Sequence, residues 1–113
     1  MVLMGEVFRF AEDAIDSAPE RYGVYALYQG NELIYIGKAE QEDTIKSKLQ
    51  HHLLGDNPCL KNATAYRYEV CDNPGQREKL YLQVYEMSYL RLPRCNYWPG
   101  QRFSSKQYVS RND

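Results

Sequence analysis

Residues 23–37 read GVYALYQGNELIYIG, and this stretch decides the fold. Residues 24–28 and 33–37 are rich in β-branched and aromatic side chains, which are typical of strands. The Gln-Gly-Asn sequence at residues 29–31 supplies turn-forming residues between them. The pattern therefore predicts an antiparallel β-hairpin.

Side chains alternate between the two faces of a strand, so each hairpin residue can be assigned to a face. Tyr25 shares its predicted face with Gly23, and Tyr35 shares its face with Leu33 and Gly37. One face of the hairpin is thus expected to carry both tyrosines, as catalytic phenols or as packing residues. Gly37 either leaves room for a phosphate or a backbone to approach, or only serves a bend.

A helix is predicted over residues 42–54, where apolar side chains recur at helical spacing before Gly55. On that helix His52 falls inside the apolar stripe, and Lys48 lies at its edge one turn earlier. Lys48 is interpreted in two ways: as a cation beside a site, or as a helix-edge residue that shows its ammonium group to water.

The second half of the chain is predicted to contain a strand and a long helix. Residues 65–70 alternate apolar and polar side chains, which indicates a third strand. The Asn-Pro-Gly sequence at residues 73–75 breaks the chain before a helix predicted over residues 76–90. Glu78 lies among tyrosines on this helix, either paired with a divalent cation or as a surface acid favoured by the helix dipole.

Length and composition indicate a single soluble domain. The 113 residues suffice for one modest core, which we place in residues 22–96 of a domain spanning residues 1–96. Residues 97–113 form a basic tail with interleaved aromatic side chains, which either contacts nucleic acid or packs on the domain. Residues 7–10 are predicted to be a short strand or an extended segment.

No apolar run approaches the roughly 20 residues that span a bilayer, and the start shows no basic leader, so we expect a cytoplasmic protein without a membrane partner.

The three cysteines, Cys59, Cys71 and Cys95, lie far apart in the sequence. No two of them have the spacing of a zinc knuckle or a redox dithiol. We therefore expect free thiols in a reducing compartment rather than a metal site.

The tripeptides Gly-Val-Tyr at residues 23–25 and Tyr-Ile-Gly at residues 35–37 resemble the two motifs that give the GIY-YIG nuclease family its name. The resemblance spans residues 22–96. It implies an α+β fold in which a small three-stranded antiparallel sheet is flanked by helices. It also implies an endonuclease that hydrolyses phosphodiester bonds in DNA with one divalent metal ion, Mg²⁺ or Mn²⁺.

The same resemblance assigns a role to each candidate residue. It implies that Glu78 binds the metal ion and that Tyr25, Tyr35 and His52 position water and move protons. Lys48 takes the position of the family's phosphate-gripping arginine. The supporting residues are Gly23, Gly37 and Asn96 for structure and positioning, and Lys38 as a second cation that binds phosphate.

The lysine at position 48 leaves a second function open. An ammonium group is a hydrated point charge, whereas a guanidinium group is a rigid fork that grips two phosphate oxygens. The net charge of −1 is also unhelpful for holding a polyanion. A domain that keeps the fold without catalysis would act as a nucleic-acid or protein binding module, and a tyrosine-rich scaffold is a third possibility. DNA is the expected partner, a targeting protein is a further one, and the oligomeric state is not indicated.

Overall fold

The computed structural model describes residues 5–97. In chain order these residues form β1 (Phe8–Arg9), α1 (Glu12–Ile15), β2 (Gly23–Gln29), β3 (Glu32–Ala39), α2 (Ile45–Leu54), β4 (Ala65–Val70), α3 (Pro74–Tyr89) and a 3₁₀ turn (Arg94–Asn96). The predicted C-terminal tail lies outside the described residues, except for Tyr97. Nowhere in the described part of the chain does a helix combine the length and the apolar character needed to cross a bilayer.

The predicted α+β class is confirmed, but the predicted sheet was one strand short. Within residues 5–97 the sheet has four antiparallel strands in the order β1-β4-β2-β3. The extra strand is β1, whose two residues pair as Phe8 with Tyr66 and Arg9 with Ala65. Two residues are too few to show an alternating pattern, and therefore the sequence alone could not separate a strand from an extended segment.

A bulge in the hairpin decides which side chains share a face. The register between β2 and β3 shifts after Leu27, so that Leu27 lies opposite Tyr35 whereas Tyr28 lies opposite Leu33. The prediction that Tyr25 and Tyr35 share a face is confirmed, because both pack against the same core cluster. Leu33 was predicted on that face and packs on the other one, since the bulge adds a residue to β3.

The sheet has an apolar cluster on each face. α1 and α2 cover the face that carries Tyr25, and α3 covers the opposite face. The first cluster comprises Phe10, Ile15, Ala18, Tyr25, Leu27, Ile34, Ala39, Ile45, Leu49, Leu60, Tyr66 and Cys95. The second comprises Val24, Ala26, Leu33, Ile36, Leu82, Tyr85 and Leu92. Burial on both faces makes β2 apolar along most of its length.

The helix that carries His52 begins at Ile45 rather than at residue 42, because Thr44 caps it. The backbone N–H of Ser47 donates to Thr44 Oγ1 at 3.1 Å, and the N–H of Thr44 donates to Ser47 Oγ at 2.9 Å. This reciprocal capping box satisfies N–H groups that a helix start leaves without an intrahelical partner. The helix ends at Leu54, as predicted, and the N–H of Gly55 donates to the carbonyl of His51.

The last helix, α3, starts at Pro74 instead of after the predicted break. Proline is favoured in the first turn because it lacks an N–H group, and an N–H group there would have no intrahelical partner. The helix ends at Tyr89, and Leu90 caps it with a left-handed backbone, φ 61°. Its buried residues are Pro74, Leu82 and Tyr85.

The expectation of three free thiols was wrong. Cys59 and Cys95 form a disulfide with a Cα–Cα distance of 5.6 Å, although 36 positions separate them in the sequence. The fold brings the loop after α2 against the 3₁₀ turn, a proximity that local sequence patterns do not encode. Cys71 is a free, half-buried thiol.

Candidate functional site

Tyr25 and His52 form the centre of the candidate site. The side chain of Tyr25 points from β2 towards α2 and is 0% exposed. Its Oη atom lies 2.8 Å from Nε2 of His52, which is hydrogen-bond distance. Twenty-seven sequence positions separate the two residues, so only the packing of α2 on the sheet creates this pair.

Tyr35 completes a cluster of three rings, here called the ring cluster: Tyr25, Tyr35 and His52. The ring centroid of Tyr35 lies 6.2 Å from that of Tyr25 and 5.4 Å from that of His52, with an edge-on approach to the imidazole. Tyr35 and His52 are half-buried, whereas Tyr25 is fully buried. The structure thus brings together one residue from each predicted tripeptide and the histidine of the predicted helix.

The surroundings keep both partners of the central hydrogen bond neutral. Burial, followed by the positive charges of Lys48 and His51, lowers the pKa of His52 to about 4. Burial also raises the pKa of the Tyr25 phenol well above its usual value, with smaller contributions from Tyr35 and from the negative charge of Glu78. Near neutral pH the site therefore contains a neutral imidazole that can accept a proton.

The depressed pKa of His52 predicts a pH dependence of stability. Between about pH 6.5 and pH 4 the unfolded chain binds this proton and the folded chain does not. The free energy of unfolding should therefore fall as the pH drops through this window. Denaturant titrations across it should show the fall in wild type and a weaker one in His52→Gln. His51→Gln is the matched control, because His51 is exposed, and an equal loss of pH dependence in both variants would contradict the assignment.

Gly37 packs against the rings of both Tyr25 and Tyr35. A Cβ atom at this position would lie 2.6 Å from Cζ and Oη of Tyr25 and 2.8 Å from Cε2 of Tyr35. Such distances are shorter than any ordinary van der Waals contact. The room that the sequence suggested for an approaching phosphate or backbone is thus occupied by the two tyrosine rings.

Gly23 lies at the start of β2, where the first residue of α2 packs against the sheet. A Cβ atom there would lie 2.2 Å from the carbonyl oxygen of Glu69 and 2.6 Å from Cδ1 of Ile45. Because Ile45 is the first residue of α2, this contact sets how closely the helix that carries His52 approaches the strand that carries Tyr25.

The two predicted lysines lie in different places. Lys48 is half-buried on α2, one turn before His52, and its charge acts on the imidazole. Within the described residues Lys48 makes no salt bridge. Lys38 pairs in register with Val24 and so lies on the face opposite Gly37. It forms a salt bridge with Glu40 at 3.1 Å, away from the ring cluster's face.

Glu78 is half-buried near the start of α3. Although α3 packs on the opposite face of the sheet, the carboxylate is close enough for its charge to raise the pKa of Tyr25. Asp43, just before the cap of α2, acts on Tyr25 in the same direction. Nothing in the sequence distinguishes Asp43, because an acid beside a helix start is most often only a dipole partner.

The acids near the ring cluster restrict the kind of metal site that can form. Across residues 5–97 no three His, Cys, Asp or Glu side chains converge as a metal cage. Mg²⁺ commonly binds one or two carboxylates and completes its shell with water and substrate phosphate. A metal site built on Glu78 would therefore have to be of this open kind, with water and substrate as its other ligands.

Asn96 holds the strand that carries Tyr35. Its Oδ1 accepts from the N–H of Ile36 and its Nδ2 donates to the carbonyl of Ile36, each at 2.9 Å. The side chain of Asn96 is buried, and Ile36 lies between Tyr35 and Gly37. Because β3 is an edge strand, this amide takes the place of a neighbouring strand beside the ring cluster.

Comparison with known proteins gives a family. No curated protein and no solved structure matches the chain. A family model described as Domain of unknown function (DUF7508) matches residues 4–87, a stretch that includes the ring cluster, Lys48 and Glu78. The chain therefore belongs to the DUF7508 family.

Proposed function

We propose that the chain is a metal-dependent DNA endonuclease of the GIY-YIG type, acting in the cytoplasm. The observation that carries the proposal is the 2.8 Å hydrogen bond between Tyr25 Oη and His52 Nε2. It joins a phenol of the first tripeptide to an imidazole that is neutral at physiological pH, and Tyr35 of the second tripeptide lies beside both. A phenol and a neutral imidazole in contact can pass a proton between them.

The proposed reaction is hydrolysis of a phosphodiester bond. Water attacks phosphorus in line with the leaving oxygen, and a new P–O bond forms as the bond to the leaving oxygen breaks. The attacking water gives its proton to the Tyr35 oxygen, the Tyr35 hydroxyl proton passes to the Tyr25 oxygen, and the Tyr25 hydroxyl proton passes to His52 Nε2. Tyr35, half-buried at the rim of the cluster, orients the water. The leaving alkoxide takes its proton from solvent.

Glu78 and Lys48 would act on the phosphate group through their charges. A Mg²⁺ or Mn²⁺ ion held by Glu78 would neutralise the negative charge that develops on the phosphoryl and leaving oxygens. The ammonium group of Lys48 lies on the side of α2 that faces His52 and acts on the same phosphate group. Since an ammonium group does not grip two oxygens at once, we expect slow cleavage rather than fast turnover.

The experiment that tests the proposal compares wild type with Lys48→Arg on branched, nicked and linear DNA in Mg²⁺ or Mn²⁺. Wild type should cut slowly, and Lys48→Arg should cut about tenfold faster or more, because a fork-shaped donor stabilises the transition state better. Lys46→Arg is the matched control, since Lys46 lies on the same helix but faces Asp16 and Glu20. Equal rates for all three proteins would remove Lys48 from the site.

The second candidate function is a binding module that keeps the fold without catalysis. The lysine at position 48 and the net charge of −1 favour it. This function predicts no cleavage by either wild type or Lys48→Arg with any divalent metal. DNA binding would then be measurable and would weaken as salt rises, or a protein partner would take the place of DNA. The same assay, with a binding titration added, separates the two functions.

A further inference from the structure

The disulfide lies next to the residue that secures the ring cluster's strand. Cys95 directly precedes Asn96, and Cys59 anchors Cys95 to the loop after α2. Cys59 is half-buried and Cys95 is buried, so Cys59 is the more accessible half of the bond. A covalent bond with one partly exposed half thus ties the 3₁₀ turn to the loop after α2.

A short path of contacts joins this bond to the ring cluster. Asn96 makes both of its hydrogen bonds with the backbone of Ile36, whose neighbours are Tyr35 and Gly37. Arg94, in the same turn, also bonds the hairpin through Glu32 at 3.1 Å. Release of the turn would therefore remove the outer partner of β3 at Ile36, next to Gly37, where the two tyrosine rings pack against the strand.

We propose that the Cys59–Cys95 disulfide is a redox modification site through which a dithiol reductant controls the ring cluster. The oxidised form holds Asn96 against β3 and keeps Tyr35 beside Tyr25. The reduced form frees the turn and loosens β3 at Ile36. Control of DNA cleavage rests on the proposed function, whereas the change at Ile36 does not.

The exchange balances without a further reactant. A thiolate of the dithiol attacks the Cys59 sulfur, forms a mixed disulfide there and expels the Cys95 sulfur, which takes up a proton. The second thiolate of the reductant then attacks the reductant sulfur that is bonded to Cys59. This attack closes the reductant into a disulfide and releases Cys59 as a thiolate. One S–S bond and two electrons are exchanged, and the two protons of the dithiol end on the two cysteines.

The surroundings of the two sulfurs suit reversible exchange. The Nη1 atom of Arg94 lies 4.0 Å from Cys59 Sγ, and a nearby cation stabilises the Cys59 thiolate that the second step releases. In a reducing compartment a protein disulfide is usually transient and serves catalysis or sensing. The proposed cytoplasmic setting therefore fits a bond that opens and closes.

Amide hydrogen exchange, measured by NMR on the oxidised and dithiol-treated protein, tests the proposal. Reduction should speed exchange at the Ile36 N–H about tenfold or more, since its acceptor on Asn96 is released. The N–H of Ala26, in the central strand β2, should change little and reports global unfolding. Cys59→Ser should exchange fast at Ile36 with or without reductant, and Cys71→Ser should respond like wild type.

The outcomes separate this proposal from the proposed nuclease function. An unchanged exchange rate at the Ile36 N–H, or equal acceleration of exchange at Ile36 and Ala26, would overturn the redox site. So would three free thiols in a protein treated with mild oxidant. With the nuclease function in place, cleavage should fall on reduction and return on reoxidation, and cleavage indifferent to the disulfide would overturn the control of activity. A redox response at Ile36 without cleavage in either state would support the redox site and refute the nuclease.

Discussion

Replacing Glu78 by glutamine is expected to lower the rate of DNA cleavage by about 10²–10³-fold, the usual cost of removing one preorganised electrostatic group. Glutamine keeps the size of the side chain but removes the charge that attracts a divalent cation. The rate should be measured under single-turnover conditions with saturating Mg²⁺, so that product release does not mask the chemical step.

The control for this variant lies on the same helix. Glu86→Gln removes an equal charge from α3 two turns after Glu78 and should retain the wild-type rate. A change in overall charge alone would strengthen DNA binding and would change the rates of both variants alike. If Glu78→Gln cleaved DNA at the wild-type rate, this carboxylate would have no part in the mechanism.

Replacing Gly37 by alanine is expected to destabilise the fold by about 1–3 kcal/mol, the usual cost of overpacking a core. The new Cβ would lie 2.6 Å from the phenol of Tyr25, which is fully buried. The ring cluster should therefore separate, and cleavage should be lost together with stability. Urea unfolding measures the first effect, and the chemical shift of the His52 ring reports the second.

Gly75→Ala provides the matched comparison for this substitution. A Cβ atom at Gly75 would approach Lys38 Nζ no closer than 3.8 Å, which is ordinary contact. Because Gly75 lies in the first turn of α3, alanine there should be neutral or slightly stabilising. Equal stability of Gly37→Ala and Gly75→Ala would contradict the packing of Tyr25 over Gly37.

Local patterns predicted the parts of the fold that one stretch of sequence determines. The hairpin, the helix with His52 and the strand at residues 65–70 follow from periodicity and turn chemistry within short windows. The features that were missed depend on residues distant in sequence. The bulge after Leu27 reassigns Leu33 to the other face, and β1 exists because Phe8 finds β4 as a partner.

The candidate site shows the same division. The shared face of Tyr25 and Tyr35 follows from strand alternation, but their contact with His52 depends on how α2 packs. The space beside Gly37, which the sequence suggested was open to a phosphate or a backbone, is filled by two tyrosine rings. Strand alternation alone does not show which side chain fills such a space. No local pattern could predict that Asn96 would bond Ile36 from 60 positions away.

We propose that the ring cluster and Glu78 form one metal-dependent nuclease site, and removal of the metal is the most direct test. Purified wild type should be incubated with branched DNA in Mg²⁺, in excess chelator, and in chelator followed by restored Mg²⁺. We predict cleavage in the first sample, none in the second and recovery in the third. Cleavage that persists in chelator, or no cleavage in any sample, would contradict the account.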